Sequence, residues 1–149
     1  MTIPGDQSDI AHSVYQKMMA HDYFSQWMGI ELVEITEGHC TLQMAVKREM
    51  LNGFGILHGG VSFAFADSAL AFASNSHGRV SVSLNASMTY SKTAKEGDLL
   101  HGEARQLTIG NRTATYDVTI TNKTTSDVIA LFRGTVFRTD QQHLESDTR

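Results

Sequence analysis

What the chain has little of narrows its chemistry. Cys40 is the only cysteine in 149 residues, so no intramolecular disulfide can form and a reducing compartment is allowed. Lys and Arg number 12 against 16 Asp and Glu, with no run of like charge. That argues against a nucleic-acid surface, which needs a clustered basic patch, but leaves room for an anionic small molecule. The seven histidines form no HxH or HxxxH pair, so no metal is expected. There is no Gly-x-Ser-x-Gly elbow, P-loop or dinucleotide fingerprint. The N-terminus MTIPGDQSDI has neither a basic region nor an apolar core, so no signal peptide is expected. The longest nearly uncharged stretch, 59–76, is broken by Asp67 and several serines. It reads as a buried helix, not a membrane span.

What is present organises around that stretch. Ser8 is positioned to cap a first helix with Ile10, Val14, Tyr15 and Met18 on one face. An aromatic segment from Tyr23 to Met28 ends at Gly29, so helical structure is expected over 8–28. Residues 30–36 and 39–47 read as a strand pair turning at Glu37-Gly38. Cys40, Leu42, Met44 and Val46 alternate there with polar residues or alanine. Gly53 and Gly55 mark a loop before the central helix, roughly 59–76, which Gly78 terminates. Strands follow over 80–90, 99–109, 112–121 and 127–138, with Gly110-Asn111 as a tight turn. In the first of these, Val80, Val82, Leu84, Ala86, Met88 and Tyr90 alternate with polar residues. The polar tail, 139–149, is expected to fray. A helix apolar nearly all round must be covered on more than one side, most simply by a curved antiparallel sheet. The expected fold class is therefore α+β, in one domain over 1–149 with its core at 30–138.

One residue stands out. From Val61 to Ser76 every residue is apolar, small or uncharged except Asp67. An isolated buried carboxylate is costly unless compensated, so Asp67 is expected to be buried and to have a role. At the start of the same helix, Gly59 and Gly60 free backbone N–H groups at the positive end of the helix dipole, suited to a developing oxyanion. Asp67 lies eight residues beyond Gly59, about 12 Å along the axis at 1.5 Å per residue. One carbonyl cannot touch both. Either the two features are unrelated, or they meet across a two-fold axis on which two copies of the helix pack antiparallel.

Asn52-Gly53, His58-Gly59-Gly60 and Ala66-Asp67, at these intervals and before four strands, resemble the hot-dog-fold acyl-CoA thioesterases of the phenylacetate-pathway, PaaI type. The segments 116–118 and 130–134 are similar as well, and the likeness spans about residues 12–138. The resemblance implies a hot-dog fold, a sheet wrapped around the long helix, and hydrolysis of an aryl-acyl or medium-chain acyl-CoA in the cytoplasm. No cofactor is needed, because a thioester is already activated. Asp67 would be the catalytic base or nucleophile, and the Gly59 N–H would polarise the carbonyl. Asn52 would hold water or substrate, and His58 would support the loop. Ser83 would lie near the attacking water, and Gly60 would contact substrate; apart from the resemblance, Arg112, beside the Gly110-Asn111 turn, is the candidate to meet the CoA phosphates. The resemblance also implies a homo-oligomer, a dimer at least and a tetramer in most relatives, with no nucleic-acid or membrane partner.

Each residue also has a plain reading. Asp67 could pair with a buried donor, Asn52 could be only a turn residue, and Gly59 and Gly60 could serve tight packing. Ser83 could be an ordinary strand serine, Cys40 core, and Arg112, Lys92, Lys95 and Arg133 solvated charges. Phe63, Phe65, Phe72 and Met88 are candidates to line an acyl pocket. Two other functions compete. One is a hydratase or dehydratase built on His58 and Asp67, which would point to opposite sides of one helix. The other is a non-catalytic acyl-CoA-binding module.

Overall fold

The computed structural model describes residues 7–145; the remaining residues, including the last part of the expected tail, lie outside it. Two N-terminal helices, α1 (Gln7–Met19) and α2 (Tyr23–Met28), precede a hairpin of β1 (Glu31–Thr36) and β2 (His39–Ala45). A short 3-10 turn (Arg48–Met50) and a loop lead into the long helix α3 (Gly59–Asn75). Four strands follow: β3 (Arg79–Tyr90), β4 (Leu99–Ile109), β5 (Thr113–Asn122) and β6 (Asp127–Gln142). They form one antiparallel sheet in the order β1-β2-β4-β5-β6-β3, so β1 and β3 are its edges.

The sheet wraps α3 because the helix has little but apolar and small side chains to offer it. Phe65, Ala66, Ala69, Leu70, Phe72 and Ala73 are all buried, Phe72 with Tyr15 of α1 against its ring. Two sheet glycines make the fit possible. A Cβ on Gly102 of β4 would stand 3.0 Å from Phe65, and one on Gly134 of β6 would stand 2.6 Å from a Leu70 methyl. Each glycine is therefore a recess for one side chain of the helix. The free thiol of Cys40 is part of this core, and burial pushes it up to about 12, which keeps it unreactive.

Three expectations shift. The helical region over 8–28 breaks into α1 and α2, because Asp22 begins a new helix. Its carboxylate accepts the Ser25 N–H at 2.9 Å and the Ser25 hydroxyl at 2.7 Å. The side chain of Ser8 is outside the described residues. At the other end, β6 runs to Gln142 into the expected tail. Its polar residues are held by Arg79, which donates to Thr139 O and Arg138 O, and by Thr139, which donates to Val80 O. Finally, β3 does not keep one alternation. An irregularity between Ser83 and Asn85 switches its faces. Ser83 pairs with buried Val136 and so faces α3, while Val82 pairs with Phe137 on the outer face. Beyond the switch Ala86, Met88 and Tyr90 face inward, opposite Gly134, Phe132 and Ala130.

Candidate active site

The site begins at the loop over 51–58. Asn52 folds it: its Oδ1 accepts the N–H groups of Phe54 at 2.9 Å and Ile56 at 3.4 Å, and its own N–H donates to Ile56 O at 2.8 Å. Two converging donors identify Oδ1 and leave Nδ2 as the group that Asn52 can offer outward. Asn52 is therefore a turn residue with a spare donor.

His58 ends the loop and caps α3. Its N–H donates to Met50 O at 2.9 Å, and its Nδ1 accepts the Gly60 N–H at 2.8 Å. The ring must carry its proton on Nε2 to do so. Gly60 thus spends its N–H on the cap, and a Cβ there would press on the His58 ring at 3.0 Å. The other N–H groups of the first turn that are bonded are those of Val61 and Ser62, both to His58 O. Among the described residues Gly59 N–H has no such acceptor. It is the helix-start donor left open.

Asp67 stands on the opposite side of the question from where its sequence context placed it. It is exposed in the single chain, not buried. The reason is that α3 has one side the protomer does not cover. Gly60, Ala64, Asp67 and Ala71 lie along it, exposed or half-exposed. Enough protein surrounds Asp67 that lost hydration, and then the charge of Asp22, push its carboxyl above the ordinary carboxylate value. No hydrogen bond contributes to that shift. By contrast Asp98, at the turn before β4, is buried, and its Oδ2 accepts from Lys95 N–H at 3.0 Å and Asn122 Nδ2 at 2.8 Å.

The structure brings Asn52, His58, Gly59 and Gly60 together at one end of α3, with a cavity of about 200 Å³ beside them walled by Leu57, Gly59, Ser62, Tyr90, Lys92 and Ile129. Lys92 there is ion-paired to Asp127 at 2.8 Å. The protomer does not bring Ser83 or Arg112 to this end. Ser83 lies seven residues before Tyr90 on β3, about 23 Å at 3.3 Å per residue. Arg112 sits at the far hairpin, bound in a fork to Asp140 at 2.9 and 3.1 Å. Of the four acyl-pocket candidates, Phe65 and Phe72 are core, whereas Phe63 and Met88 are only partly buried. Larger hollows of about 340 and 390 Å³ lie on the outer face of the sheet, lined by threonines and ion-paired charges away from α3. Among the described residues no cluster of metal-ligating side chains occurs, and no helix is long and apolar enough to cross a membrane.

Sequence reasoning missed Tyr90. Its hydroxyl donates to Gly59 O at 3.0 Å. As the last residue of an alternating strand it gave no local signal of contact with a backbone carbonyl far along the chain.

A helix wrapped by a six-stranded antiparallel sheet, with a glycine N–H open at its start and an unpaired carboxylate further along, defines a hot-dog hydrolase of the thioesterase class. Comparison with known proteins agrees. Residues 54–129 match the thioesterase superfamily, and the chain belongs to it. A protein of Archaeoglobus fulgidus provisionally named an esterase is 38% identical over 135 residues, 91% of this chain and 87% of that one. The acyl-coenzyme A thioesterase PaaI of Escherichia coli is 34% identical over 124 residues, 83% of this chain and 85% of that one. The solved structure of the E. coli PaaI protein superposes with a TM-score of 0.89 at 31% identity, covering 92% of this chain and 99% of that chain. A Streptococcus mutans protein solved bound to acetyl-CoA superposes with a TM-score of 0.73 at 32% identity, covering 76% and 90%.

Proposed function

We propose that this chain hydrolyses acyl-CoA thioesters, with an aryl-acyl or medium-chain acyl group, at a site shared by two subunits. The carrying observation is the pair of half-sites on α3: an open Gly59 N–H at the helix start and an unpaired Asp67 on the uncovered side, its carboxyl raised above the ordinary value, about 12 Å apart along the axis. Two such faces packed antiparallel bring Gly59 of one copy to Asp67 of the other, and the dimer then holds two sites. The helix offers small residues at Gly60, Ala64 and Ala71 for that approach. The edge strand β3 supports the same pairing: Val82 and Leu84 are 50% and 60% exposed, and one side of its backbone is free. The CoA moiety follows from the named activity of the E. coli relative and the acetyl-CoA held by the S. mutans protein.

In this site the thioester oxygen lies at the Gly59 N–H. Asp67 of the other copy takes a proton from water as the water oxygen bonds to the carbonyl carbon. The C–S bond then breaks, and CoA leaves as thiolate, protonated by solvent or by Asp67. The products are a carboxylic acid and CoA. If Asp67 instead bonds to the carbonyl carbon itself, CoA leaves first and water opens the mixed anhydride at the Asp67 carboxyl carbon, freeing the acid and restoring the carboxylate. Single turnover in ¹⁸O-water separates the routes, since only the second places label in Asp67. Asn52 Nδ2 serves as a donor to the water or the thioester, His58 keeps the helix start formed, and Ser83 and Arg112 reach substrate only from the partner's side. A CoA substrate places the enzyme in the cytoplasm. Pairing of dimers into a tetramer is read by light scattering.

The test is complementation. Asp67→Asn and Gly59→Pro subunits are each inactive as homodimers. Mixed, their heterodimers contain one intact composite site and regain about half the wild-type rate per dimer. No recovery after verified subunit exchange refutes the shared site.

A further inference from the structure

We propose that Tyr90 is a positioning residue for the oxyanion donor, acting with His58 as a two-point clamp on a single peptide group. The inference rests on the thioesterase reading above. The peptide linking Gly59 to Gly60 is held at both ends. Its carbonyl accepts the Tyr90 hydroxyl at 3.0 Å, and its N–H donates to His58 Nδ1 at 2.8 Å. A peptide is planar, so fixing both its polar ends fixes its orientation; the donor N–H of Gly59 lies on the preceding peptide, whose carbonyl, His58 O, accepts the Val61 N–H at 3.0 Å, and the clamp acts on it through the shared Gly59 Cα.

The clamp answers a weakness in the sequence. Two consecutive glycines at a helix start are the least restrained backbone available. Yet the N–H that must meet the developing oxyanion belongs to one of them, and an oxyanion donor works only if already aimed. The same glycines cannot be replaced by stiffer residues without loss. A Cβ at Gly59 would stand 3.2–3.3 Å from the Tyr90 ring, and a Cβ at Gly60 would stand 3.0 Å from the His58 ring. The ring of Tyr90 occupies the side of Gly59 that a larger residue would fill. It leaves the Gly59 N–H as the open polar group of the turn.

The side chain of Tyr90 is exposed in the single chain, but its backbone is anchored. It pairs with Ala130 of β6, and the next residue continues the tie, with Ser91 N–H donating to Ile129 O at 2.8 Å. Thus β6 holds β3, β3 holds Tyr90, and Tyr90 holds the start of α3. The hydroxyl is engaged by the Gly59 carbonyl. Its contribution passes through Gly59.

Tyr90→Phe keeps the ring and removes only the hydroxyl. Thiol release from an aryl-acyl-CoA should fall roughly 3- to 30-fold in kcat, with KM changed by less than about twofold, since misplacement of a donor by a fraction of an ångström acts on the transition state. The acid limb of the pH profile should not move, because Asp67 is untouched. Amide exchange over residues 58–62 should quicken while the melting temperature holds. His58→Ala should also lose rate, and the double variant should lose less than the product of the two single losses, because both act on one peptide. Equal kcat in wild type and Tyr90→Phe overturns the clamp and leaves the thioesterase reading intact. A loss confined to KM, or one that follows a fall in melting temperature, overturns it too. A wild type that releases no thiol from any acyl-CoA overturns the thioesterase reading and the clamp's role with it.

Discussion

The two ends of α3 are built on opposite rules. At the C-terminal end the polar side chains from Ser74 to His77 all have partners. Asn75 Oδ1 accepts the Ser81 N–H at 2.9 Å and its Nδ2 donates to Ser81 O at 3.2 Å, clasping the start of β3. Ser76 Oγ accepts the Gly38 N–H at 2.7 Å and donates to Ala73 O at 2.6 Å, tying the helix to the β1–β2 turn. His77 bridges Glu37 and Gln106 at 2.8 and 2.6 Å. At the N-terminal half, only the Gly59–Gly60 peptide is tied by side chains. The Gly59 N–H, Asn52 Nδ2 and Asp67 carboxylate are left without protein partners among the described residues. The closed end commits its polar groups to stability, and the open end leaves them to the proposed chemistry.

That contrast can be broken from either side. The largest effect should come from Asp67→Asn, which keeps shape and removes the carboxylate: on the proposed mechanism thiol release falls by about 10²- to 10⁴-fold. Its melting temperature at neutral pH should not fall, because folding disfavours the charge that is removed. The sign follows from the raised carboxyl of Asp67. Its contribution to stability is full at acid pH, in the protonated form, and is lost as pH rises through its folded value. Activity runs the other way and appears as that group ionises, so the acid limb of kcat/KM should lie above the ordinary carboxylate range.

Next comes Gly59→Pro against Gly59→Ala. Proline is suited to the first helical position and deletes the N–H, whereas alanine adds a comparable Cβ and keeps it. Loss of one oxyanion donor costs about 10²- to 10³-fold in kcat, so the proline variant should be far slower than the alanine variant. Equal rates in the two would remove the Gly59 N–H from the mechanism.

At the closed end the expectation reverses. Asn75→Ala strips both Ser81 backbone groups of their side-chain partner, a cost of about 1–3 kcal/mol for a buried group left unsatisfied. Thermal melting should drop by several degrees while kcat of the folded protein stays at the wild-type level. The smallest effect should be Asp22→Asn. Asparagine still caps α2 but removes the charge that raises Asp67, so the acid limb should move to lower pH with kcat unchanged on its plateau.

Much of the fold was legible because it is local. The β1–β2 turn needs Gly38 at φ 75°, and α3 ends one residue short of its expected limit, just before Gly78 at φ 101°. The strands over 99–109 and 112–121 read to within a residue because alternation and a Gly-Asn turn bracket them. The loop-helix motif of Asn52, His58 and Gly59 was equally visible, since its parts lie within one short stretch. The face switch in β3 at Ser83 was not, because one extra residue in a strand leaves no mark in an alternating pattern. Nor were the recesses at Gly102 and Gly134, whose meaning depends on Phe65 and Leu70 arriving from another element.

The sequence by itself marked the groups on which the proposed chemistry rests: a lone carboxylate in an uncharged helix and a glycine pair at its start, both properties of composition and spacing. Only the tertiary structure decided their state. It left Asp67 on an open side of α3, where the sequence implied burial, because burial depends on which face the sheet covers. It spent the Gly60 N–H on His58 and brought Tyr90, 31 residues away, to the Gly59 carbonyl, because the aim of a backbone group is set by contacts that spacing along the chain does not contain.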